Sequence, residues 1–187
     1  MKTAVSTRHM VLCALFAALI AAGAFLQVPV PFMDYFTLQF LFVILAGMLM
    51  GGKRAAISAG VYVAVGLCGI PVFAAGGGPQ YIFRPSFGYL LGFIAAAALT
   101  GFLCEKMQAA RFRDFLPAAF AGLAVTYLIG FAYKYMILNF HLGQKTPLAV
   151  IFLSAFPLDL PGDILLCIVG SGLAGRLRAA LKKEELL

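Results

Sequence analysis

Charge is what this chain has least of. Of 187 residues, 11% are Asp, Glu, Lys or Arg, against roughly 25% in an average soluble domain. Seven acidic residues face 14 basic ones, histidine occurs twice, and tryptophan is absent, so the aromatic 13% is Phe and Tyr. Cysteine is sparse: Cys13, Cys68, Cys104 and Cys167 each sit in an apolar run, with no C-x-x-C pair and no His at ligand spacing. They read as small membrane-embedded thiols. Catalytic signatures are missing too. There is no H-E-x-x-H, no G-x-S-x-G and no G-x-x-x-x-G-K-[ST] phosphate loop. Gly76-Gly77-Gly78 follows no strand pattern and carries no dinucleotide reading. No internal repeat or low-complexity linker divides the chain.

What remains is apolar: 63% of residues, with a mean hydropathy of +1.00. Together with the low charge, this excludes disorder, a disulfide-stapled secreted module and an ordinary cytosolic enzyme. A bilayer-spanning helix takes about 20 residues, so a chain of this length holds about seven spans at most and no separate soluble domain. The apolar runs are 10–28, 36–50, 55–70, 84–104, 115–140 and 162–177. They are continuous rather than alternating, which disfavours a β-barrel. The basic stretch before the first run reads as the flank of a retained span and not as a cleaved leader. Pro29 and Pro31 end the first run, residues 105–114 form a charged connector, and Pro157 and Pro161 break the segment 147–156 before the last run. The expected architecture is all-α: one integral membrane domain over residues 1–187, with six transmembrane helices in a compact bundle.

The scarce charges then become informative. Lys2, Arg8, Lys53, Arg54, Lys106, Arg111, Arg113, Arg176, Arg178, Lys182 and Lys183 fall on alternate connectors, which is 11 of the 14 basic residues. The positive-inside rule places those connectors and both termini in the cytoplasm. Arg84, Lys134 and Lys145 are left on the outer side and need another explanation.

Ionisable residues at membrane depth are costly and usually functional. Asp163 starts the last run, roughly 20 Å above its inner end at 1.5 Å per residue. Arg84 opens the fourth run, Lys134 lies near the outer end of the fifth between Tyr133 and Tyr135, and Gln39 lies one turn into the second. Four spans thus offer polar groups at one depth, the pattern of an outward-facing pocket. Lys145 and Asp159 read as loop charges. Tyr35, Phe36, Phe73, Tyr81, Phe83, Phe87 and Tyr89 gather at the outer ends, as an interfacial belt or as a wall around a flat ligand. In the first run, Ala14/Ala18 and Ala18/Ala22 make small-x-x-x-small pairs. Such a face packs within the protein or docks a second membrane protein.

Three blocks carry a resemblance. They are Phe83-Arg84-Pro85-Ser86-Phe87-Gly88-Tyr89, Val28-Pro29-Val30-Pro31 followed by Thr37-Leu38-Gln39, and Leu160-Pro161-Gly162-Asp163. In their order along the chain they resemble BioY, the biotin-specific substrate-binding (S) component of energy-coupling factor (ECF) transporters. The resemblance implies a non-enzymatic, high-affinity biotin-binding subunit without a cofactor, multi-pass in a bacterial plasma membrane. It implies work with a transmembrane coupling subunit and two cytoplasmic ATPases, the energy coming from those partners. Carried onto this sequence, it implies substrate contacts at Gln39, in the Phe73–Tyr81 region, at Arg84 and at Asp163, and a coupling face at Ala14, Ala18 and Ala22; Thr37, Tyr89 and Lys134 join the expected substrate contacts from their place in the same blocks and at the same depth. One position departs: the family often has Lys three residues after the Asp, and this chain has Leu166. The ligand-facing cation then falls to Arg84, Lys134 or Lys145. The same fold carrying another carboxylated vitamin such as lipoate, and a solitary biotin carrier, stand as alternatives.

Overall fold

The computed structural model describes residues 7–28, 36–155 and 159–183. Pro29, Pro31, Tyr35 and Pro157 lie outside the described residues. Among the described residues seven α-helices run in chain order: α1 Thr7–Phe25, α2 Gln39–Met50, α3 Gly52–Leu67, α4 Phe87–Lys106, α5 Phe112–Met136, α6 Leu148–Ser154 and α7 Asp159–Lys183. A short antiparallel pair, β1 Gln27–Val28 with β2 Phe36–Thr37, lies between α1 and α2. Among the described residues four helical segments are long and apolar enough to cross a membrane: Thr7–Phe25, Phe87–Lys106, Phe112–His141 and Asp159–Ala180.

α2 is short for its hydrophobicity. Its 12 residues rise about 18 Å, well under a hydrocarbon core of about 30 Å. The packing explains how this is tolerated. Every residue from Val43 to Met50 is buried, so α2 is enclosed by protein on all sides near its end. Gly51, at φ +83°, reverses the chain directly into α3. This left-handed conformation suits glycine, and a Cβ there would collide with the Glu105 carboxylate.

α4 and α5 form the most extensive interface, and small residues allow it. A Cβ on Gly92 would lie 2.9 Å from the Thr126 carbonyl oxygen, and one on Gly130 would lie 2.6 Å from the Tyr89 ring. The backbones therefore meet at van der Waals distance, the mode of helix association that works where lipid removes the hydrophobic drive. Thr100 adds an interhelical hydrogen bond, its hydroxyl donating to the Ala118 carbonyl at 3.2 Å.

Two boundaries differ from the sequence reading. The charged connector 105–114 shortens to 107–111, because α4 runs through Lys106 and α5 begins at Phe112. The Asp114 carboxylate accepts from the Arg111 and Ala110 backbone N–H groups at 2.9 and 3.1 Å, and so caps the start of α5. Pro161, expected to precede the last run, sits inside the first turn of α7, which begins at Asp159. A missing N–H costs nothing there, since that group has no intrahelical partner anyway.

The bundle has two chemically different ends. At one end Gly51, Glu105 and Arg178 border a common cleft, and Arg178 donates to the Ala109 carbonyl. The start of α3 is joined to α1 there, through Cys13 and the Arg54 carbonyl. The other end carries the β-pair, the loop 68–86, the π-turn Ile137–His141 and α6.

Candidate functional site

A cavity opens at this second end, among α2, α4, α5 and α7. The space enclosed by its walls, with the open solvent at its mouth included, is about 820 Å³. Apolar walls come from Phe36, Phe40, Leu90 and Phe93. Thr37, Gln39, Tyr81, Tyr89, Lys134 and Asp163, all expected from the sequence as substrate contacts, line it together.

The start of α2 supplies a fixed amide. Gln39 is 3% exposed. Its Nε2 donates to the Tyr62 hydroxyl at 2.5 Å, which in turn donates to the Val72 carbonyl at 3.2 Å. Thr37 Oγ1 donates to Gln39 Oε1 at 3.2 Å. An amide side chain has two donors and two acceptor lone pairs, so one of each remains after these bonds, already oriented. This small network ties α2 to α3 and to the following loop. The amide therefore loses little further freedom on meeting a ligand.

α7 supplies the acid. Asp163 Oδ2 accepts from the Tyr127 hydroxyl at 2.8 Å, which fixes the carboxylate's plane and leaves acceptor capacity free. Asp159 also lines the cavity. It stands four residues earlier, on the same helix face. The sequence had suggested a loop charge. Instead Asp159 opens α7, because Pro161 is accommodated within the first turn.

Aromatic rings back these groups. Tyr89, Tyr127 and Phe131 pack edge to face, with centroids 5.4 to 6.4 Å apart. The Phe73 ring is 2% exposed and stands behind the lining, 5.5 Å from Tyr62 and 4.5 Å from Tyr81. It holds two rings of the site in place and does not itself face the cavity. Arg84 is exposed, with its guanidinium 5.3 Å from the Tyr81 ring centroid and outside the lining. Lys145 is exposed in a loop at φ +47°. Ala14, Ala18 and Ala22 share an exposed face of α1 far in sequence from all of this, while Ala17, Ile20 and Ala24 turn inward.

Tyr62 and Tyr127 are the site residues that the sequence did not single out. Each is a hydroxyl inside an otherwise apolar run, which is the available signal. Burial at 2% and 6% requires that such a hydroxyl find a partner, and in both cases the partner is a cavity residue.

Known proteins share both sequence and shape with this chain. The family model described as "BioY family" matches residues 1–183. A probable biotin transporter BioY of Lysinibacillus sphaericus is 41% identical over 92% of this chain and 87% of its own. A biotin transporter BioY of Rhizobium etli is 34% identical over 91% and 92%. Among solved structures, the crystal structure of the S-component for biotin from an ECF-type ABC transporter superposes with a TM-score of 0.79 at 25% identity, over 96% of this chain and 95% of that one. The relatives are thus named as transporters, and the helical architecture is that of an S-component. With a family match spanning nearly its whole length, the chain belongs to the BioY family.

Proposed function

We propose that this protein is the biotin-binding membrane subunit of an ECF-type uptake system. The observation that carries the reading is the cavity itself: oriented polar groups from α2 and α7 inside aromatic walls, in a chain of this family. Biotin presents two ureido N–H donors and one carbonyl, an apolar sulfur-containing ring and a carboxylate-tipped chain. The Asp163 carboxylate is an acceptor for a ureido N–H, and Gln39 has a donor and an acceptor left for the same group. Tyr81, Tyr89 and the Phe walls suit the ring and its sulfur.

The reading extends to topology. α1, α2, α3, α4, α5 and α7 are six spans, with both termini on the cytoplasmic face of a bacterial plasma membrane. The 11 basic residues on alternate connectors support this, as does the meeting of the α2–α3 turn, the α4–α5 connector and Arg178 at one end. The ligand cavity then opens outward. No phosphate-binding loop occurs in the sequence, so uphill transport draws on partners: a transmembrane coupling subunit, met through Ala14, Ala18 and Ala22, and two ATPases.

The test is equilibrium binding of radiolabelled biotin to the purified protein, competed by a vitamin panel that includes lipoate. Unlabelled biotin displaces the label at least 100-fold more effectively than any other vitamin, a gap of about 2.7 kcal/mol. Equal displacement by lipoate would overturn the assignment.

A further inference from the structure

Leu166, one helical turn beyond Asp163, is buried at 6% exposure, so α7 places no cation beside the Asp163 carboxylate. Any cation for an anionic ligand must therefore come from elsewhere. Three basic residues lie toward the cavity end, and their placements differ. Arg84 is exposed and covers the outside of Tyr81. Lys145 is exposed in its loop. Lys134 is the only Lys or Arg among the described residues that lines the cavity. It is half-buried, and its ammonium donates to Ser154 Oγ at 3.2 Å. An ammonium has three N–H donors, so this bond anchors it with donors to spare. Ser154 is itself fixed, its hydroxyl donating to the Ile151 carbonyl at 2.6 Å.

The spacing along α5 also matters. Tyr127, which holds Asp163, lies seven residues before Lys134 on the same helix, a rise of about 10 Å. Both side chains reach one cavity, with Lys134 two turns nearer the end of α5 than Tyr127 and its partner Asp163. In biotin, seven bonds separate the nearer ureido nitrogen from the carboxyl carbon, about 8 Å when extended at about 1.2 Å per bond. The donor end of the ligand matches the Asp163 pole, and the carboxylate matches the Lys134 pole nearer the mouth.

We infer that Lys134, and no cation of α7, pairs with the ligand's carboxylate and makes the site selective for free acids over esters and amides. This rests on the cavity being the biotin site. A second role for Lys134 is conceivable on charge alone: Asp159 and Asp163 face the same cavity, and an ammonium balances them whether or not a ligand carboxylate is present. The two roles separate on a neutral ligand.

The experiment measures biotin and biotin methyl ester binding to the wild type, Lys134→Met and Lys134→Arg. In the wild type, biotin binds about 10- to 100-fold tighter than the ester, the worth of one charge-assisted contact. Lys134→Met loses that factor on biotin and keeps the ester within about 3-fold of wild type, so the preference disappears; Lys134→Arg restores most of it. Retention of the full acid preference in Lys134→Met overturns the inference, as does an equal loss for acid and ester, which marks charge balance. A wild type that binds ester and acid alike also overturns it while leaving the biotin reading intact. A wild type that binds neither ends both.

Discussion

Asp163→Asn weakens biotin binding by about 30- to 100-fold, the range for losing a charge-assisted hydrogen bond to a buried group. The substitution keeps the shape and changes the donor count. A carboxylate only accepts, whereas a carboxamide has two N–H donors on one side. Tyr127 holds one oxygen at 2.8 Å, so the amide orients its oxygen toward that hydroxyl and its N–H₂ toward the ligand. A ureido N–H then meets a donor instead of an acceptor. Titration calorimetry on the detergent-purified variant reads the loss. The melting temperature in the absence of ligand stays near wild type, because Tyr127 still has an acceptor. Wild-type affinity in Asp163→Asn would remove Asp163 from the site.

Ala18→Phe gives the opposite dissociation: biotin uptake by cells falls to background while biotin binding by the purified protein stays within about 2-fold. The argument is geometric. Ala14, Ala18 and Ala22 repeat every four residues and lie together on the exposed face of α1, so a bulky ring at position 18 projects away from the protein and meets nothing in the cavity. Close approach of a second helix to a small-residue face tolerates no such ring. Paired measurements of uptake and binding decide the matter. Unchanged uptake would favour a carrier that works alone, without a coupling subunit on this face.

The legible parts of the molecule were those written in long-range pattern. Continuous apolar runs located the helices, since no water is available to satisfy a spanning backbone in any other way. Charge asymmetry separated the connectors into two sets, and the structure collects the α2–α3 turn, Glu105 and Arg178 at one end. Gln39, Lys134 and Asp163 stood out because polar groups are rare in such runs, and all three line one cavity.

The less legible parts depend on which way a side chain turns. Phe73 and Tyr81 look alike in sequence, yet one ring is packed behind the other. Arg84 belongs to the most distinctive block, but the 3-10 turn Pro79–Phe83 that precedes it leaves its guanidinium on the outside of Tyr81. Tyr62 and Tyr127 read as apolar filler because a phenol is mostly ring, and only the partners Gln39 and Asp163 reveal the hydroxyl's part. Asp159 reads as a loop charge in a sequence where Pro157 and Pro161 stand on either side of it. Proline's tolerance of a first helical turn returns it to α7 and to the cavity.

Mass spectrometry of the small molecules released from protein purified out of biotin-replete cells goes straight to the cargo. The account predicts stoichiometric biotin in the wild type and its depletion in Asp163→Asn. Release of a different carboxylated vitamin from the wild type, or protein that leaves the cells empty and takes up no added biotin, would contradict it.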